Sequence, residues 1–127
     1  MSTRAQVIVK DKYGEIWFYR HSDGYPDGVK PTIKQFVDYV KAGHIRNNVE
    51  QASGWLIVLG HNEYIEQSPD YQKPLPEAGA FAWKVGAYEP SVPRKHGDVE
   101  YLYTIDLEAL KVTYEDYEGN KHELDVS

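Results

Sequence analysis

Two helix-patterned segments stand next to each other in the middle of this chain, between two groups of strand-patterned segments, and this order restricts the fold more than any other feature. The first segment places apolar residues at the helical spacing i, i+3, i+4 and i+7, namely Ile33, Phe36, Val37 and Val40. Helices grouped between runs of strands predict an α+β fold, with a single antiparallel β-sheet of five to six strands in the order ββααβββ and two helices packed on one face. A length of 127 residues is typical of one domain, so residues 1–127 are predicted to form a single α+β domain.

Strands are predicted wherever apolar and polar residues alternate, because successive side chains of a strand point to opposite faces. The alternating segments are residues 4–11, 15–21, 81–88, 99–105, 110–117 and 121–126. Lys12-Tyr13-Gly14 predicts a tight turn between the first two strands, and Glu118-Gly119-Asn120 predicts the turn of a closing hairpin. The proline-rich residues 68–79 and the polar residues 89–97 are predicted to be irregular loops.

Pro31 sets the predicted start of the first helix. A proline disfavours helical backbone at the residue before it, which is Lys30 here. The helix is therefore predicted to begin at Pro31 or Thr32 and to end at Gly43, since glycine is a common residue at a helix C-terminus.

Asn48, with Gln51 three residues later, resembles a capping box at the start of a second helix. This helix is predicted to run as far as Glu66. Its predicted inward-facing residues are Val49, Ala52, Trp55, Leu56 and Leu59. A buried strand at residues 55–59 is the alternative, because five consecutive apolar residues have no diagnostic period, but the cap favours the helix.

Negative charge is concentrated at the end of the chain. From Asp98 onward nine acidic residues stand against two lysines, a formal charge of −7, so the first 97 residues carry +1 of the total of −6. Nonspecific binders of duplex nucleic acid normally have a basic face, so no duplex nucleic-acid partner is predicted. The acidic C-terminal strands are interpreted either as a solvated sheet edge or as a surface for a protein partner.

Composition also restricts the compartment and the assembly. The absence of cysteine excludes disulfides, thiolate catalysis and cysteine-ligated metal centres. Residues 1–10 lack an apolar signal core, and the longest apolar run, residues 55–59, is far too short to span a bilayer. The sequence therefore predicts a soluble, cytoplasmic protein without a membrane partner. Its aromatic fraction of 13%, together with a sheet face that no helix covers, favours a homo-oligomer.

The densest group of chemically active side chains lies at Tyr19-Arg20-His21-Ser22-Asp23-Gly24-Tyr25-Pro26-Asp27-Gly28. Its His-x-Asp pair recurs at residues 96–98, and in extended backbone the two members of each pair point to the same side. Because both pairs adjoin predicted strands, His21 and His96 are predicted to face a shared cleft. One alternative is a metal-dependent hydrolase, whose metal site would be formed by His21, Asp23, His96 and Asp98. The other is that the aspartates only stabilise turns.

Arginines and aromatic rings in the same regions favour a site for a small anionic, nucleotide-like ligand. Arginine presents a planar set of donors that suits phosphate, and exposed rings can stack on a base. The predicted ligand-binding residues are Arg20, His21, Asp23, Tyr25, Arg46, Trp83, Tyr88, Arg94 and His96. Solvated ion pairs and aromatic core packing are the alternative explanation for each of them. No phosphate-loop or dinucleotide fingerprint occurs, so no cofactor is predicted.

Residues 19–26 (YRHSDGYP) and 96–103 (HGDVEYLY) resemble a group of small, largely uncharacterised proteins of bacteria, archaea and their phages. The resemblance covers most of the chain, including residues 2–5 and 52–56. Occurrence in phages implies a protein that acts against host defence, by sequestering a nucleotide signal or by binding a defence protein. The leading hypothesis is therefore a non-enzymatic binding protein for a nucleotide-like anion. A metal-dependent hydrolase and an acidic inhibitor that binds a protein partner are the alternatives.

Overall fold

The computed structural model describes residues 2–127, apart from the side chains of Ala80 and Phe81. Within this range the chain forms six β-strands and two α-helices. The strands are β1 (Ala5–Asp11), β2 (Gly14–Arg20), β3 (Glu89–Ser91), β4 (Tyr101–Asp106), β5 (Lys111–Glu115) and β6 (Lys121–Leu124). The helices are α1 (Pro26–Lys41) and α2 (Val49–Gln67), and two short 3-10 helices at Pro69–Gln72 and Gly79–Trp83 follow them. The predicted α+β class is confirmed.

The six strands form one mixed sheet in the order β3-β2-β1-β4-β5-β6. Strand β1 pairs antiparallel with β2 but parallel with β4, with Ala5 opposite Tyr101 and Lys10 opposite Asp106. The remaining pairs are antiparallel. The prediction of a purely antiparallel sheet is therefore wrong. The reason is the loop of residues 92–100, which carries the chain past β2 and β1 so that β4 enters the sheet at the same end as β1.

The predicted strand at residues 81–88 is also wrong, because this segment packs on a helix instead of on another strand. It begins in a 3-10 helix and then lies against α2, where the backbone nitrogen of Ala87 donates to the carbonyl of Gly60 at 3.0 Å. Gly86 permits this approach, since a Cβ at that position would lie 2.5 Å from the backbone nitrogen of His61. Strand β3 follows directly, inside the stretch predicted to be a polar loop.

Helix α1 starts at Pro26, five residues before the earliest predicted start. Pro26 occupies the first helical position, where a fixed φ and a missing N–H are tolerated. Pro31 lies inside the helix, but so near its beginning that its missing N–H affects only the carbonyl of Asp27. The predicted end is confirmed, because Gly43 follows the helix with a φ of 81°.

Helix α2 confirms the predicted capping residue and excludes the alternative strand at residues 55–59. The side-chain oxygen of Asn48 accepts hydrogen bonds from the backbone nitrogens of Glu50 and Gln51 at 3.0 and 3.2 Å. One inward-facing prediction is wrong, since Trp55 is 49% exposed. The apolar run surrounds the whole helix, so periodicity could not tell which of its faces meets the core.

A continuous apolar core joins the helices to one face of the sheet. Val7 of β1, Ile33 and Phe36 of α1, and Leu56 of α2 are all fully buried in it. None of the described helices is long and apolar enough to cross a membrane. The opposite face of the sheet is covered near the start of β1, where Gln6 is fully buried beneath the loop that follows β3.

Buried tyrosines make the fold sensitive to alkaline pH. Burial and the hydrogen bond to Asp98 raise the pKa of Tyr19 to about 12, and burial raises the pKa of Tyr88 to about 12. An unfolded chain loses tyrosine protons near pH 10, before the folded chain does, so stability falls as the pH rises from about 10 towards 12. Urea midpoints measured between about pH 8 and pH 11, together with tyrosinate absorbance, check this. A constant midpoint, or an equal decline in Tyr19→Phe, would contradict the assigned role of Tyr19.

Candidate functional site

A cavity of about 460 Å³ opens where β2 and β3 meet the loop that follows β3. We call it the histidine cavity, and its polar lining consists of Tyr19, His21, Glu89, Ser91, Arg94 and His96. His21 comes directly after β2, whereas His96 comes from the loop after β3. The prediction that these two imidazoles face a shared cleft is therefore confirmed.

The ring of Tyr19 lies between the two imidazoles. Its centroid is 4.7 Å from that of His21, in an edge-on arrangement, and 5.0 Å from that of His96. The Tyr19 hydroxyl donates to a carboxylate oxygen of Asp98 at 2.7 Å, and Asp98 also accepts Arg4 at 3.4 Å. This hydrogen bond to Asp98 fixes the position of the Tyr19 ring in the cavity.

Gln6 fixes the loop that forms one wall of the histidine cavity. Its side-chain nitrogen donates to the carbonyl of Arg94 at 2.9 Å, and its side-chain oxygen accepts from the backbone nitrogen of His96 at 2.9 Å. These bonds hold the backbone and leave the Arg94 guanidinium and the His96 ring available to the cavity. The sequence analysis missed Gln6, although a glutamine within an apolar strand was a usable signal for a buried polar contact.

Some of the charged side chains that line the histidine cavity are paired with one another, and others are not. Nε2 of His21 lies 2.7 Å from Oε1 of Glu89, so the only carboxylate of the lining is already paired with an imidazole. Among the described residues, the Arg94 guanidinium has no carboxylate within salt-bridge distance and is exposed. The cavity therefore presents one unpaired cation beside a second imidazole, that of His96.

Arg20, in contrast, is a structural residue. Its side chain is 2% exposed, its Nε donates to the carbonyl of Ser22 at 2.7 Å, and its two terminal nitrogens contact the Glu63 carboxylate at 3.2 and 2.6 Å. The hydroxyl of Thr32 donates to the same carboxylate at 2.6 Å. Burial acts to lower the pKa of Arg20, but Tyr88 and Glu63 raise it above its ordinary value, so the guanidinium keeps its charge.

The fully buried Tyr88 belongs to the same network. The Arg20 guanidinium lies over its ring, 5.1 Å from the centroid. Both residues are therefore separate from the histidine cavity, and the Tyr88 ring has no free face on which a ligand could stack. The sequence analysis missed Glu63, the partner that makes a buried arginine possible.

Asp23 and Tyr25 lie in a second cavity, of about 520 Å³, which we call the helix cleft. It lies between α1 and α2, and its charged and hydroxyl-bearing lining consists of Arg20, Asp23, Tyr25, Thr32, Glu63 and Glu66. His21 and Asp23 thus line different cavities, because the backbone turns at Asp23 with a φ of 55°. The His-x-Asp pair does not aim at a common point.

Arg46 and Trp83 line neither cavity. Arg46 lies just before α2, whose first residue, Val49, donates its backbone N–H to Asp11 at the far end of β1. Trp83 is 87% exposed in the second 3-10 helix. Of the nine predicted ligand-binding residues, the histidine cavity brings together His21, Arg94 and His96.

Within residues 2–127 no three histidine, aspartate or glutamate side chains are grouped closely enough to hold a metal ion. Asp23 lines the helix cleft and Asp98 is engaged by Tyr19, so the four residues of the metal alternative do not converge. Asp23 therefore lies in a different cavity from His21, and Asp98 does not line the histidine cavity.

No protein family model matches this sequence, and comparisons with curated proteins and with solved structures gave no significant match. The resemblance of residues 19–26 and 96–103 to small prokaryotic and phage proteins stays a prediction.

Proposed function

We propose that this chain is a non-enzymatic binding protein that holds a small anionic, nucleotide-like ligand in the histidine cavity. The observation that carries the proposal is the unpaired Arg94 guanidinium beside the imidazoles of His21 and His96. A cation of this kind binds a phosphate or carboxylate through two parallel N–H donors, and a neighbouring imidazole N–H adds a third.

The walls of the cavity suit a ligand that also has a planar, apolar part. Pro90, Val92 and the edge of Tyr19 provide apolar surface next to the charged groups. A volume of about 460 Å³ falls in the range of small-molecule sites, which combine apolar walls with a few placed polar groups. Nucleotides combine a phosphate with a flat base, so they are the ligand class that best fits this lining.

The hydrogen bonds of the cavity favour binding over catalysis. The Ser91 hydroxyl lies 3.2 Å from Nε2 of His96, a pairing that would suit a nucleophile and its base. That hydroxyl, however, donates to the carbonyl of Val92 at 3.1 Å and accepts from Gln6 at 3.1 Å. The Ser91 hydroxyl thus already has both a donor and an acceptor partner other than His96, and the role we assign to it is to hold the loop.

Sequestration of a nucleotide signal, in the cytoplasm of an infected bacterium, is the role we propose on this basis. It rests on the resemblance to phage proteins together with the histidine cavity. Assembly as a homo-oligomer is part of the same proposal. On the face away from the helices, the partly exposed side chains of β4 and the exposed Lys111 and Thr113 of β5 are left for a second copy to cover.

Arg94→Ala is expected to weaken nucleotide binding by about 10- to 150-fold, the effect of losing a charge-assisted hydrogen bond. Arg46→Ala is the matched control, since it removes another exposed arginine that lines neither cavity. Titration calorimetry with mono-, di- and triphosphate and cyclic nucleotides measures the change. Recovery of the nucleotide unaltered after heat denaturation of the complex distinguishes binding from hydrolysis.

Two results would overturn the proposal. One is that no nucleotide of the panel binds the unsubstituted protein. The other is that Arg94→Ala and Arg46→Ala weaken binding equally, which would indicate nonspecific attraction of anions.

A further inference from the structure

A group of tyrosines at one end of β4 and β5 lies outside both cavities. Tyr101, Tyr114 and Tyr117, which we call the tyrosine cluster, come from the start of β4, the end of β5 and the turn after β5. The ring of Tyr101 is steeply inclined to the other two, at 62° and 6.1 Å from Tyr114 and at 83° and 6.4 Å from Tyr117. Rings inclined in this way form the walls of a corner instead of a stack.

The corner is open to solvent. Tyr117 is 69% exposed, and both Tyr101 and Tyr114 are partly exposed. A turn between two strands does not need a large ring for its own stability, because Asp116 already closes it by accepting from the backbone nitrogens of Glu118 and Asn120. The exposed ring of Tyr117 is therefore not explained by the packing of the hairpin.

Carboxylates lie beside the tyrosine cluster. Burial is the first cause that raises the pKa of Tyr101, and the next causes are Tyr117, Glu100, Tyr114 and Asp116. Basic side chains are also present: Lys95 contacts Glu115 at 3.8 Å, Lys121 lies opposite Glu115 in β6, and His122 stacks on the Tyr114 ring at 4.9 Å while its Nε2 lies 2.8 Å from Asp116. The corner thus combines the negative faces of aromatic rings with carboxylates, the combination that attracts an organic cation.

We propose that the tyrosine cluster is a docking surface for a basic polypeptide, which places an arginine or lysine side chain in the corner formed by Tyr101, Tyr114 and Tyr117. The occupant is a polypeptide because carboxylates lie beside the corner as well as the rings, namely Glu100 before β4 and Glu115, Asp116 and Glu118 at the end of β5 and in the turn after it. A small ammonium ion would use only the three rings, whereas a chain of cations matches both the corner and these carboxylates.

A fluorescent peptide of about eight arginines is the probe, and anisotropy at two salt concentrations measures its affinity. Tyr117→Ala is expected to weaken binding by about 3- to 30-fold, the effect of losing one desolvated cation–π contact. Tyr117→Phe is expected to retain the affinity, because the ring face and not the hydroxyl makes the contact. Tyr13→Ala, which removes a tyrosine of similar exposure from the β1–β2 turn, is expected to have no effect.

The proposal is overturned if the peptide does not bind. It is also overturned if Tyr117→Ala and Tyr13→Ala have the same affinity for the peptide, since binding would then be unspecific electrostatic attraction. Tetramethylammonium that competes with the peptide at equal affinity would also overturn it, by identifying a site for a small cation. These outcomes are independent of nucleotide binding in the histidine cavity, because Tyr117 lines no part of that cavity.

Discussion

Arg20→Ala is expected to lower the free energy of unfolding by about 3–5 kcal/mol, the usual effect of removing one partner from a buried ion pair. The Arg20 side chain is almost fully buried, and its two-point contact with Glu63 joins the end of β2 to α2. The Glu63 side chain is only 15% exposed, and without the guanidinium its carboxylate keeps one partner among the described residues, the Thr32 hydroxyl. Urea denaturation followed by tryptophan fluorescence measures the change.

Two further variants separate pairing from packing. Glu63→Gln keeps the shape of the side chain but leaves the arginine without a countercharge, so it is expected to destabilise by a similar amount. Arg20→Met combined with Glu63→Leu removes both charges and is expected to recover most of the loss, since apolar replacement of a buried pair is often nearly neutral. A loss below about 1 kcal/mol in Arg20→Ala would show that the pair is as weak as an exposed one.

Gly86→Ala is expected to destabilise the fold by about 2–3 kcal/mol, the upper part of the range for overpacking. The added methyl group would lie 2.5 Å from the backbone nitrogen and 2.6 Å from the Cα of His61, and backbone atoms cannot move aside as a flexible side chain can. The segment before β3 must then separate from α2. Chemical denaturation measures the stability, and nucleotide titration reports on the histidine cavity, whose wall β3 provides.

Gly54→Ala is the matched control for this substitution. Gly54 lies in α2, and a Cβ there would meet no atom within 4 Å. Alanine is the better helix former, so this variant is expected to be more stable by about 0.5–1 kcal/mol. Equal effects of the two substitutions would contradict the close contact between Gly86 and His61.

Local patterns predicted the elements that depend on local interactions. The β1–β2 hairpin follows from alternation on both sides of a glycine turn, and α2 follows from a cap in which Asn48 binds backbone groups two and three residues away. The predicted start of α1 at Pro31 is wrong, because a proline disfavours helical backbone at the preceding residue but does not forbid it. The helix begins instead at an earlier proline, Pro26.

The candidate site was predictable only in part. His21 directly follows β2, as predicted, whereas His96 lies in the loop between β3 and β4 instead of next to a strand. The two share one cavity because Gln6 holds that loop in place. Their partners were not predictable, because Gln6 and His96 are 90 residues apart in sequence and Arg20 and Glu63 are 43 apart. No local pattern distinguishes an arginine with a buried partner from one that binds a ligand.

The sequence by itself determined the fold class, the two helices, both hairpins and the acidic character of the last strands, since each depends on periodicity, turn residues or composition. The tertiary structure alone decided that β4 lies parallel to β1, that residues 84–88 pack on α2, and that Arg20 is buried in an ion pair while Arg94 stays exposed. The physical reason is that a buried polar group needs a partner, and the partner is selected by which distant segments meet when the core forms.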